Sequence, residues 1–229
     1  NKPAPRGIPD PVVDGSGAEP FTADVAVQDG RIVEVKADGR ITAQARERVN
    51  AAGAWVTPGF VDIHTHYDGQ ASWDETFSPS IWHGVTTLVM GNCGVGFAPL
   101  APGPKDRACA DLITLMEGVE DIPGVALAEG VSFDWQSFPQ YMDALDAMPH
   151  SLDFCVQVPH DPVRMAVMGE RALAQQAATA DDIAAMRAIV REALLAGAAG
   201  FSTGRTDNHR TAAGRETPAS EASAAELAG

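Results

Sequence analysis

Gly59-Phe60-Val61-Asp62-Ile63-His64-Thr65-His66-Tyr67-Asp68, GFVDIHTHYD, is a short apolar run that ends in two histidines one residue apart. Alternate residues of an extended strand point to the same side. His64 and His66 are therefore expected to project together, close enough to hold one ion, and imidazole is the commonest protein metal ligand near neutral pH. A surface turn that happens to carry two histidines fits the ten residues equally well. The rest of the chain separates these readings.

The 229 residues carry 16 basic and 31 acidic side chains, a formal net charge of -15. This excludes the basic patch that a nucleic-acid partner needs and makes an anionic membrane surface an unsuitable partner. No apolar run approaches the length of a membrane span, and Asn1-Lys2-Pro3-Ala4-Pro5-Arg6-Gly7 lacks the apolar core of a secretory signal. Cys93, Cys109 and Cys155 are too few and too scattered for a disulfide scaffold. The expectation is a cytoplasmic protein.

Upstream of the histidine pair, residues 1–20 are rich in Pro and Gly and read as irregular. Residues 24–28 (DVAVQ) and 31–36 (RIVEVK) read as strands joined by the tight-turn pair Asp29-Gly30. A third strand is expected near Val49 or over 54–56, closing a small β unit at residue 58. Downstream, four apolar runs follow at 60–63, 85–90, 152–158 and 199–201. Helices are expected over 105–117, with a long loop after it, over 138–148 and over 180–198. In the last, Thr179 and Asp182 have capping-box spacing. Strands alternating with helices imply parallel βα units.

Each of the four runs leads into a polar cluster: His64-Thr65-His66, Gly91-Asn92-Cys93-Gly94, Pro159-His160-Asp161-Pro162-Val163-Arg164, and Ser202-Thr203-Gly204-Arg205. In a (β/α)8 barrel the active site lies where the strands end. Cys93 differs from Cys109 and Cys155, which fall inside helix and strand patterns and read as core filling. It lies just past a strand, beside a glycine that permits a tight turn. Two imidazoles and a thiolate suit Zn²⁺ better than Mg²⁺ or Ca²⁺, and sulfur has lone pairs enough to bridge two ions.

PGFVDIHTHYDGQ (58–70) followed by HGVTTLVMGNCGVGFAP (83–99) resembles the N-acyl-D-amino-acid deacylase (D-aminoacylase) branch of the amidohydrolase superfamily. VEDIPGVALAEG, VPHDPVRMAVMGERA and GFSTGRTDNHR add to the resemblance, which spans residues 12–227. It implies an α/β fold: a (β/α)8 TIM barrel of the amidohydrolase type, of which residues 59–229 would form about the first four units. Residues 1–58 would be part of a small β-sandwich. It implies a zinc-dependent hydrolase with one or two ions that cleaves the amide bond of N-acyl-D-amino acids. His64 and His66 carry over as ligands of one metal position. Cys93 carries over as ligand of a tighter zinc position, open to bridging both. His160, Arg164, Ser202 and Arg205 are expected to line the substrate pocket, where a cation can pair with a substrate carboxylate. Surface ion pairs account for the two arginines equally well.

Asp62 and Asp68 read as partners of the ligands or strand-end caps, and His83 and His150 as structural or solvent-exposed. The lysines, Lys2, Lys36 and Lys105, cannot supply the bridging lysine of hydantoinase-like or dihydroorotase-like relatives. A full barrel takes about 250 residues. The later ligand histidines and the catalytic aspartate that the resemblance implies have no counterpart here, and NKPAPRGIPDP does not read as the expected opening strand. These departures lead to the expectation of a fragment, inactive alone and prone to self-association. The alternatives are an amidohydrolase acting on a cyclic amide or urea, and a catalytically silent binding or assembly module.

Overall fold

The computed structural model describes residues 11–37, 40–51 and 53–229. They fall into two compact units, Asn1–Gly59 and Phe60–Gly229. The expected opening irregularity, and the missing opening strand, lie mostly outside the described residues.

In the first unit β1 (Pro11–Val12), β2 (Phe21–Gln28) and β3 (Arg31–Ala37) form an antiparallel sheet in that order. The β2–β3 turn is made by Asp29 and Gly30, with φ of 50° and 73°. Positive φ at both central positions matches the right-handed twist of the flanking strands, which is why an Asp-Gly pair specifies this hairpin. The third strand expected near 54–56 reduces to one bridge: Val56 pairs with Val12, and the Val13 amide donates to the Val56 carbonyl at 2.9 Å.

In the second unit β4 (Phe60–Asp62), β5 (Val85–Met90), β6 (Asp153–Pro159) and β7 (Gly200–Ser202) form a parallel sheet in chain order. The four apolar runs of the sequence are these four strands. Between and after them lie α1 (Lys105–Glu120), α2 (Gly124–Gly130), α3 (Phe138–Asp146), α4 (His160–Met168), α5 (Glu170–Leu173), α6 (Ala180–Leu195) and α7 (Ala224–Ala228). α6 starts where its sequence predicts: the Thr179 side chain accepts from the Asp182 amide while the Asp182 carboxylate accepts from the Thr179 amide. The long loop expected after α1 instead contains α2.

α4 is the larger departure. The sequence reading names Pro159-His160-Asp161-Pro162 as a polar cluster and expects no helix there, yet the helix starts directly on the end of β6. Proline is tolerated in a first helical turn, where the amide it lacks has no intrahelical acceptor. The core packs Leu88 and Met90 of β5 and Val156 and Val158 of β6 with Leu112, Leu115 and Met116 of α1, Phe138 and Leu145 of α3, Val163 of α4 and Met186 of α6. Among the described residues no helix is long and apolar enough to cross a membrane.

Candidate metal centre

β4 ends at Asp62, so His64 and His66 lie beyond the strand rather than on it. Their convergence has another cause. Thr65 between them is buried, its amide and hydroxyl both donating to the Val89 carbonyl at 3.0 and 2.9 Å. The Asn92 side-chain amide donates to the Thr65 and Val89 carbonyls at 3.1 and 2.9 Å. This clamps the His64–His66 segment to the end of β5, and the two rings sit with centroids 5.4 Å apart.

Cys93 reaches them from a left-handed turn. Its φ is 56°, flanked by Gly91 at 76° and Gly94 at 79°. Neither glycine has room for a side chain: a Cβ on Gly91 would stand 2.1 Å from the Gln157 carbonyl oxygen, and one on Gly94 2.9 Å from the Gly204 nitrogen. The Ser202 hydroxyl accepts from the Gly94 amide at 3.0 Å and donates to the Gly91 carbonyl, which ties the turn to the end of β7. His64 Nε2 then lies 3.2 Å from Cys93 Sγ. One donor atom from each of His64, His66 and Cys93 falls within 4.8 Å of the others.

The chemistry of these donors fits a cation. His66 Nδ1 is buried with no hydrogen-bond partner, as are Asp68 Oδ2 and His209 Nδ1. Burial, then the neighbouring His64 and His209, pushes the His66 pKa down to about 4, so the ring is neutral and keeps a lone pair. Its Nε2 stands 3.2 Å from Glu120 Oε1, a close polar contact with a neutral ring rather than an ion pair. Burial, with Glu120 and Asp68 nearby, pushes the Cys93 thiol up; a bound cation reverses that order and takes the thiolate. Two imidazoles and a sulfur are the donor set of zinc-class ions.

Two residues of this neighbourhood escape the sequence reading. Glu120 is the last residue of α1, half-buried, with its carboxyl pushed up to about 7 by burial and by Asp121. His209 follows β7. Their segments, VEDIP and DNHR, support the family resemblance but carry no metal-spacing signal. Only the fold brings them to Cys93, with which they form a second group of donors within 4.8 Å of one another. Asp68 is buried, its carboxyl pushed up to about 7 by burial. Asp62 accepts a long 3.4 Å hydrogen bond from the His64 amide.

The residues expected to line a substrate pocket divide. Arg164 is 1% exposed, and its guanidinium donates to Glu226 Oε1 at 2.7 Å, the Pro218 carbonyl at 2.5 Å and the Gln176 carbonyl at 2.7 Å. His160 places Nε2 3.0 Å from the same Glu226 oxygen and Nδ1 2.9 Å from the Thr203 hydroxyl. These two residues fasten α7 and the segment before it to α4, and burial of the Arg164 guanidinium, with each of its nitrogens engaged, closes it to a carboxylate from solution. Ser202 is used by the Cys93 turn. Arg205 is exposed and makes no hydrogen bond or ion pair among the described residues. Cys109 is partly buried and Cys155, contrary to a core role, is exposed. His83 is exposed, and His150 hydrogen-bonds the Ala71 carbonyl and stacks on Phe77.

A family model described as the amidohydrolase family matches residues 47–229. A D-aminoacylase from Alcaligenes xylosoxydans xylosoxydans is 38% identical over 198 residues, 84% of this chain and 36% of that one. Among solved structures, a D-aminoacylase characterised for its binuclear metal center is 36% identical with a TM-score of 0.74, over 95% of this chain and 40% of that chain. An N-acyl-D-glutamate deacylase from Bordetella bronchiseptica, complexed with zinc and a phosphonate inhibitor, is 32% identical with a TM-score of 0.63, over 96% of this chain and 40% of that chain. The chain thus spans two fifths or less of the length of these relatives.

Proposed function

This chain belongs to the amidohydrolase family, and on that premise we propose that it serves zinc-dependent cleavage of the amide bond in N-acyl-D-amino acids. The observation that carries the reading is the convergence of His64, His66 and Cys93 within 4.8 Å, on loops that follow two neighbouring parallel strands. Relatives named for D-aminoacylase and N-acyl-D-glutamate deacylase activity support the substrate class. A zinc-class cation in such a site supplies Lewis acidity, polarising an amide carbonyl and making water a competent nucleophile near neutral pH.

The chain's own residues do the rest. His64, His66 and Cys93 hold the cation, and Thr65, Asn92 and Ser202 fix the two loops that present them. The neutral His66 ring offers a lone pair without first losing a proton. Arg205, uncommitted and following the same strand as Ser202, is the cation for the substrate's carboxylate, a charge-assisted pairing. In this reading His160 and Arg164 serve by seating the Thr203–Glu226 segment that carries Arg205.

The test is metal analysis joined to an assay. The full-length enzyme should hold zinc and release free D-amino acids from N-acyl-D-amino acids but not from the L-enantiomers, with turnover lost on chelation and restored by zinc, whereas residues 1–229 alone are expected to show no turnover. Preference for hydantoins or other cyclic amides, or zinc retained in full by a Cys93→Ala variant, would overturn it.

A further inference from the structure

We propose that the Thr203 hydroxyl accepts the amide N–H of the substrate, given the N-acyl-D-amino-acid class proposed above, and that His160 is the positioning residue that fixes this polarity. Thr203 stands between Ser202 and Arg205 in the polar cluster after β7.

The polarity follows from a chain of hydrogen bonds that starts on a group with no choice. Arg164 is a donor only, and its Nε donates to Glu226 Oε1 at 2.7 Å. His160 Nε2 lies 3.0 Å from that same oxygen. The oxygen is already an acceptor, so Nε2 carries the hydrogen. The ring is neutral, because burial lowers the His160 pKa against the pull of Glu226, and a neutral imidazole has one donor and one acceptor nitrogen. Nδ1 is therefore the acceptor, and the Thr203 hydroxyl, 2.9 Å away, donates to it. The Phe201 ring packs tilted against His160, centroids 5.2 Å apart, and keeps it in place. A hydroxyl has one hydrogen and two lone pairs. With its hydrogen committed inward, Thr203 offers only lone pairs outward, to an N–H and not to another acceptor.

The position suits a substrate contact. Thr203 is exposed, although His160 behind it is 2% exposed. Its backbone lies against the turn that carries Cys93. A Cβ on Gly94 would stand 3.1 Å from the Thr203 Cα, and one on Gly204 2.5 Å from the Cys93 carbonyl oxygen. Thr203 and Arg205 are exposed while Ser202, Gly204 and Thr206 are half-buried, the alternation of a segment whose i and i+2 side chains share a side. An N-acyl amino acid carries its N–H and its carboxylate on the same carbon, and an acceptor beside a cation matches that pair. Two such contacts fix the directions of two substituents of that carbon. The enantiomers then differ in where the side chain points.

The test uses the full-length enzyme and matched substrates: an N-acyl-D-amino acid, and the O-acyl ester of the corresponding D-α-hydroxy acid, which puts an oxygen where the amide has its N–H. Comparing each variant with wild type on both substrates cancels the greater intrinsic reactivity of the ester. Thr203→Val keeps the shape and loses the hydroxyl. It should lower kcat/KM for the amide about 10–100-fold, the order of a buried donor left unpaired, and leave the ester unchanged or improved. Thr203→Ser keeps the hydroxyl and should retain the amide preference. His160→Phe frees the hydroxyl to rotate and should shrink the amide-to-ester ratio, with Thr203→Val adding little on top of it. Independently of turnover, nitrogen NMR of isotope-labelled histidines should show His160 as the Nε2–H tautomer. Where His160→Phe does not fold, that tautomer decides the role of His160.

Equal losses on amide and ester in Thr203→Val would make Thr203 a structural residue and overturn the proposal, as would no loss on either. An Nδ1–H tautomer at His160 would reverse the polarity and overturn it too. Each of these leaves the deacylase reading standing. Absence of amide turnover by the wild-type enzyme would sink that reading, and the proposal with it.

Discussion

Two polar clusters stand past strand ends of the same parallel sheet, and they treat their donors in opposite ways. Around Cys93, nitrogens of His66 and His209 and an oxygen of Asp68 are buried with nothing to bond. Around Arg164, the guanidinium, the His160 ring and the Glu226 carboxylate are also buried, and none of their buried side-chain atoms lacks a partner. A buried polar network that closes on itself holds structure together. One that leaves lone pairs pointing at each other is built around something else. Burial and polarity alone do not tell these cases apart; the accounting of partners does.

The comparison is most exposed to attack at Glu226. Glu226→Ala strands the Arg164 charge at 1% exposure, and removing one member of a buried pair costs about 3–5 kcal/mol. Denaturant unfolding should show that loss, while the protein that remains folded keeps its zinc. Loss of zinc with unchanged stability would merge the two clusters.

Cys93→Ala should do the reverse. Most bound zinc goes, the stability of the metal-free protein changes little, and Cys109→Ala and Cys155→Ala retain their zinc; elemental analysis of the three variants decides.

A smaller effect is expected from Asp161, whose carboxyl is pushed up to about 8 from 3.8, chiefly by burial. Its folded pKa lies above the unfolded one, so its contribution is fully present below about pH 4 and is lost as pH rises through 8. Asp161→Asn should flatten the dependence of stability on pH across that window. The smallest effect on the fold belongs to Arg205. In the full-length enzyme Arg205→Ala should leave the melting temperature unchanged while raising KM for N-acyl-D-amino acids about tenfold, the order of one lost charged hydrogen bond.

What the sequence makes legible is what neighbouring residues decide. Asp29-Gly30 forces a hairpin through its backbone angles, Thr179 and Asp182 cap a helix across three residues, and each apolar run is long enough to be a strand. The His64–His66 spacing suggested a shared ligand, though the clamp on Thr65 rather than strand alternation brings the rings together. What stays hidden depends on partners far along the chain. Arg164 reads as a cation for substrate until Glu226, 62 positions away, claims it. Pro162 hides α4 because its effect depends on which turn of a helix it occupies. Glu120 and His209 meet Cys93 only because Gly118 and Gly204 let main chain touch main chain.

Those glycines give the centre an unusual genetic profile. At Gly91, Gly94, Gly118 and Gly204 an added methyl would collide with backbone rather than with a side chain that could swing aside. A screen of random variants for lost metal retention should therefore return these four positions beside the donors themselves. Anyone reading such a map without coordinates would count ligands that have no side chain to bind with.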